Sequence, residues 1–160
     1  MRTGKAPRTL KQRAIALLAR RDYARAELAA RLARSGADPS EVEATLDELQ
    51  HAGYLCDARF ASSVVRQKAS SFSKRAIVHA LKEKGVDREA TDAAMAQLQD
   101  LDELAAATAL WQRRFGSPPA DERDKARQVR FLLSRGYSHG IAFRVLREAA
   151  AAAMPQADQG

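Results

Sequence analysis

Arg20, Arg21 and Arg25, then Arg66, Lys68, Lys74, Arg75 and Lys82, then Arg130, Arg135 and Arg144 are the side chains with the clearest chemistry to offer. Guanidinium groups form forked bonds to phosphates and carboxylates, while ammonium groups act as point charges toward both. The chemistry is recognition of an anionic surface, either a nucleic-acid backbone or an acidic protein face. Other reactive residues point nowhere so specific. His51, His79 and His139 are dispersed and, with Cys56, show no metal-ligand spacing. No motif supplies Cys56 with a His and an Asp, so it reads as a half-buried connector residue. Asp57 and Arg59 read as a helix cap and a surface contact rather than an acid–base pair. Neither GxxxxGK[ST] nor GxGxxG occurs. The expectation is a binding protein, not an enzyme, with no catalytic, metal or cofactor site.

The elements that position these cations are helices. Ala is abundant within the 46% hydrophobic content, and Gly and Pro are few, which favours helix nearly everywhere. Leu10 to Arg20 places Ala14, Leu17 and Leu18 at core spacing. Ala24 to Arg34 follows, with Leu28 and Leu32 one turn apart. Asp38-Pro39 opens a third helix with its core face at Val42, Thr45, Leu46 and Leu49, and Gly53 closes it. Leu101 to Phe115 forms a separate amphipathic helix whose Leu110, Trp111 and Phe115 are expected to pack against a neighbouring repeat. Ala120 to Ser134 and Ser138 to Ala153 are the last two helices. No stretch alternates apolar and polar residues, so no strand is expected. No apolar run approaches the roughly 18 residues of a membrane span. A basic start without a long apolar core does not read as a signal peptide, and one cysteine fits a reducing cytoplasm.

The chain repeats itself. At an offset of 49, Leu32, Gly36, Asp38, Ala44 and Leu49 reappear as Leu81, Gly85, Asp87, Ala93 and Leu98. At an offset of 114, Leu18, Tyr23 and Leu32 meet Leu132, Tyr137 and Leu146, matching two helices only. This register sets Arg25, Lys74 and His139 as equivalent rungs. Charge alternates in blocks: residues 1–34 carry net +8, 35–62 −5, 63–88 +5, 89–112 −5 and 113–147 +6, within a total of +7. The expected fold is an all-α, elongated array of tandem three-helix, helix-turn-helix-like repeats. Its parts are a flexible basic arm over 1–8, repeats over 9–56, 57–100 and 101–153, the last divergent, and a disordered tail over 154–160. Stacking would collect the basic helices on one flank and the acidic helices on the other.

Gly53-Tyr54-Leu55, Asp57, Arg59, Phe60 and Ala61, with Val65-Arg66, Leu81, Lys84, Gly85 and Val86, resemble the RecX family, over about Leu10 to Leu146. In the sequence alone, Asp57 reads as the cap of its own helix, and Tyr54 and Phe60 as buried pins between repeats. The resemblance implies a regulator of the RecA recombinase that lodges on the RecA–single-stranded DNA filament. It implies inhibition of recombinase, ATPase and co-protease activities, hence modulation of DNA repair and the SOS response. Implied partners are the RecA filament and its enclosed single strand, with weak, non-specific binding of naked DNA, no membrane, and a monomeric chain. The eleven cations above become the filament- and nucleic-acid-binding flank. The alternative is a direct DNA-binding protein, because three-helix units with a basic second helix resemble helix-turn-helix readers.

Overall fold

Most of the described helices begin after a short polar side chain that satisfies free N–H groups of the first turn. The computed structural model describes residues 6–155. Ahead of α1 (Leu10–Leu18), the Thr9 hydroxyl accepts from the Gln12 N–H at 3.1 Å, and the Gln12 side chain accepts from the Thr9 N–H at 3.0 Å. α2 (Arg25–Ala33) has no side-chain cap of its own. α3 (Pro39–His51) is capped by Asp38, which accepts from the Ser40 N–H at 2.8 Å. α4 (Asp57–Lys68), α5 (Lys74–Glu83) and α6 (Arg88–Met95) follow, and α6 tightens into a 3-10 turn over Ala96–Leu98. Asp102 caps α7 (Glu103–Arg114), Asp121 caps α8 (Glu122–Ser134) and Ser138 caps α9 (His139–Ala153). Among the described residues there is no strand, and the fold is all-α. Residues 6–8 of the expected arm and 154–155 of the expected tail lie outside helices. The remainder of both lies outside the described residues.

Turn geometry sets the register of the third repeat, and it differs from the sequence expectation. Gly36, Gly85 and Gly136 hold φ of 79°, 78° and 90°, the left-handed region that closes α2, α5 and α8. One residue further, Val86 N–H donates to Leu81 O at 3.1 Å and Tyr137 N–H donates to Leu132 O at 3.2 Å. Asp38, Asp87 and Ser138 then offer their side-chain oxygens to the starts of α3, α6 and α9. The third repeat is therefore complete, with α7, α8 and α9 equivalent to α4, α5 and α6 at an offset of 51 around the turn. The 114-residue alignment is one helix out, because α1 and α8 share a similar Leu-and-Arg pattern. In the corrected register His139 is not the rung that matches Arg25 and Lys74. Lys125 is.

Of the described residues, 6–65 and Ala80–Ala94 form one compact unit, and Arg66–His79 and 95–155 form another. The middle repeat thus supplies residues to both. The first unit centres on Ala14, Tyr23, Leu28, Leu32, Val42, Leu46, Leu49 and Leu55. The second centres on Ala107, Leu110, Trp111, Val129, Leu132, Tyr137, Ala142, Val145 and Leu146. Each fully buried Leu or Val contributes about 1.5–3 kcal/mol. Trp111 packs within its own unit, where its indole N–H donates to Gln128 Oε1 at 2.7 Å.

The Gly53–Ala61 stretch ends α3 and starts α4, as its residues suggest, but its parts work differently. Leu55 and Phe60 are buried, whereas Tyr54 is 53% exposed. Tyr54 is therefore a surface residue and not a pin: successive residues of the short connector face opposite ways, and Leu55 takes the buried place. Asp57 does not cap its own helix, where the Cys56 carbonyl accepts from Phe60 N–H. Its carboxylate instead accepts from the backbone N–H of Arg25 at 2.7 Å, capping the otherwise uncapped start of α2. The device recurs. Glu103, the first residue of α7, accepts from the backbone N–H of Lys74, the first residue of α5, at 3.1 Å. In each case the first helix of one repeat caps the second helix of the repeat before it. Arg59 fastens the connector, donating to Gly53 O and Tyr54 O at 3.2 and 2.9 Å and to Asp22 Oδ1 at 2.9 Å.

Candidate interaction surface

The expected basic positions divide by what their charges already meet. Arg25 lies across the acidic face of α3, bonding Glu43 and Asp47 at 2.7 and 2.8 Å and Gln50 at 2.8 Å. The Glu43 hydrogen bond, opposed by partial burial and joined by Asp47, raises its guanidinium above the ordinary arginine range. Arg21 bonds Glu27 at 2.8 Å, and Lys84 reaches the same carboxylate at 3.1 Å. Lys11 pairs with Glu48 at 3.0 Å. Basic and acidic helices in the first unit are thus bonded to each other rather than segregated to separate flanks. The reason is local: α1 and α2 both pack on α3, so its carboxylates lie within reach of their cations.

In the second unit, Lys68 and Arg135 meet at one ring. The Lys68 ammonium lies 4.5 Å and the Arg135 guanidinium 4.9 Å from the Phe72 centroid, and Arg135 also lies 5.1 Å from Phe131. Arg135 donates to Ser71 O at 3.4 Å, and its carbonyl accepts from Ser73 N–H at 2.8 Å. These contacts give Arg135 a packing role beside its charge. The Lys74 backbone is held by Glu103, and its side chain is half-buried. Arg144 pairs one turn along α9 with Glu148 at 2.9 Å. Arg66, Arg75, Lys82 and Arg130 are exposed, and neither Arg75 nor Arg130 has a carboxylate partner among the described residues. α9 carries Arg144 and Arg147, so an acidic third helix is a property of α3 and, more weakly, α6, and does not extend to the last repeat.

Arg20 belongs to a group that the sequence reading only half found. It lines a groove with Arg8, Arg13 and Arg31, over Ala16, Leu17, Leu32 and Ser35. The signal was present in the helical spacing of Arg13, Ala16, Leu17 and Arg20. Cys56 is a half-buried free thiol, and no cluster of three or more His, Cys, Asp or Glu able to hold a metal occurs among the described residues. No described helix is long and apolar enough to cross a membrane.

The helices and their repeating turns define an all-α protein of tandem three-helix modules. Residues 11–49, 57–95 and 101–146 match, in order, the family models of the first, second and third three-helix domains of RecX. The chain belongs to the RecX family of regulatory proteins. It is 47% identical over 139 residues to "Regulatory protein RecX" of Leptothrix cholodnii, spanning 87% of this chain and 88% of that protein. It is 42% identical over 143 residues to the protein of the same name in Ralstonia nicotianae, with 89% of each covered. The crystal structure of RecX from Lactobacillus salivarius superposes with a TM-score of 0.67 at 18% identity, covering 89% of this chain and 95% of that one, and so shares the fold.

Proposed function

We propose that the protein binds the RecA–single-stranded DNA filament and inhibits its ATP hydrolysis, strand exchange and co-protease activity. The observation that carries this reading is the succession of three RecX domain matches across most of the chain. The proposed binding residues are the exposed Arg20 and Lys82 in the first unit and Arg66, Arg75 and Arg130 in the second, with Arg21 and Arg25 in the first and Lys68, Lys74, Arg135 and Arg144 in the second making contacts within their own units. Arg25, Lys74 and Lys125 hold equivalent places in the three repeats, so a cation at this position is a property of the module. A reader of base edges is disfavoured by the second helices α2, α5 and α8, whose one Asn or Gln side chain, Gln128, is buried and bonded to Trp111.

The test is RecA ATP hydrolysis on single-stranded DNA with the protein added. Arg75→Glu with Arg130→Glu is expected to weaken inhibition about tenfold or more, since exposed charges contribute little to folding but much to association. Glu41→Lys with Glu89→Lys is expected to inhibit like the parent. The reverse pattern would place the binding surface on the acidic helices. Arg25 is a poor choice for this assay, because Arg25→Glu would set a third carboxylate against Glu43 and Asp47.

A further inference from the structure

The groove lined by Arg8, Arg13, Arg20 and Arg31 has a volume of about 480 Å³, and no carboxylate lines it. Elsewhere in the unit, Lys11, Arg21, Arg25, Arg59 and Lys84 each meet an acidic side chain. The four guanidiniums of the groove have no such partner among the described residues. Arg13 Nε is buried and has no hydrogen-bond acceptor among the described residues. A buried donor left unmatched is destabilising, and a bound anion would remove that cost.

We infer that this groove holds the sugar–phosphate backbone of an unpaired nucleic-acid strand. Four guanidiniums, donated from the approach to α1, from α1 and its end, and from α2, can fork onto successive phosphates. The floor between them is apolar, formed by Ala16, Leu17 and the buried Leu32. Such a floor suits a sugar or a base face, and only an unpaired strand can turn a base outward against it. A duplex keeps its bases paired inward and would leave the floor unused. An acidic peptide presents carboxylates on flexible stems, whose ordering opposes binding, and its charges need not recur at the spacing of the groove. The inference extends the proposed filament reading by naming where the enclosed strand is held. Its test uses naked strand without RecA, so the two can fail separately.

The probe is fluorescein-labelled oligothymidylate, with binding followed by anisotropy across a salt series. Arg8→Gln with Arg31→Gln removes two exposed members of the groove; a second variant, Arg13→Gln, removes the half-buried one whose Nε is unmatched, with melting curves run on both. The Arg8/Arg31 pair is expected to weaken binding about tenfold and to reduce the slope of log K against log salt by about 1.4, near 0.7 per lost phosphate contact on a single strand. Arg88→Gln with Arg123→Gln, an equal loss of charge outside the groove, is expected to change binding by less than about twofold. Equal weakening by both pairs would mean that net charge alone holds the strand, and the inference would fall. Displacement of the strand by polyglutamate at matched charge would assign the groove to an acidic polypeptide instead, overturning it equally.

Discussion

Asp57→Ala removes the carboxylate that caps α2 and leaves the Arg25 N–H without its acceptor. The expected loss is about 1–2 kcal/mol, the usual cost of deleting an N-terminal cap, and it is read from a denaturant titration. An unchanged midpoint would show that water replaces the bond without cost. Sequence inspection identifies Asp57 as a capping residue but cannot say which helix it caps, because the acceptor's partner is 32 residues away. Tyr54 and Phe60 form a second contrast. Phe60→Ala is expected to cost about 3–5 kcal/mol, whereas Tyr54→Ala is expected to stay within about 0.5 kcal/mol. Comparable losses in both melting curves would contradict the exposure of Tyr54. Glu27 gives a pH dependence. Burial alone would raise its carboxyl, but the bonds from Arg21 and Lys84 outweigh burial and hold it below the ordinary range. A depressed folded pKa gives stability that is present above the unfolded value of about 4.3 and is lost as pH falls through the lower folded value. Glu27→Gln should therefore lose less stability than the parent between about pH 5 and pH 3. Parallel losses over that window would contradict the coupling.

The helices themselves were legible because their Leu and Val spacing and their caps agree, and every helix read along the first and last thirds of the chain appears within one or two residues. The register of the third repeat was not read correctly, although Gly36, Gly85 and Gly136 carry the signal for it. Gapless offsets hide it, since the turn recurs after 49 residues and then after 51. These glycines differ in surroundings. A Cβ on Gly36 would meet nothing within 4 Å, one on Gly85 would lie 2.7 Å from Ala26 Cβ, and one on Gly136 would lie 2.6 Å from Ala76 Cβ. Gly36→Ala is expected to cost about 1–2 kcal/mol from the left-handed backbone alone. Gly85→Ala and Gly136→Ala are expected to cost more, because α2 and the start of α5 must also shift. Equal melting temperatures across the three would show that the close approaches are relaxed in solution.

Over the whole molecule, the net charge of +7 matters less than which cations remain unpaired after folding. The alternating blocks were visible in the sequence, but they suggested two separate flanks, whereas Arg25 and Lys11 are bonded to the acidic α3. Linear charge blocks cannot reveal which helices pack together, and the four-arginine groove emerges only once α1 and α2 are side by side. Recognition of RecA assembled on a strand is the property proposed for this RecX-family protein. Co-sedimentation with preformed RecA–single-stranded DNA filaments, against the same strand without RecA, tests it most directly. The protein should pellet with filaments at a salt concentration where naked strand no longer retains it, because contacts with protein add to a salt-sensitive phosphate term. Equal retention on filament and naked strand throughout the salt series would contradict recognition of the filament.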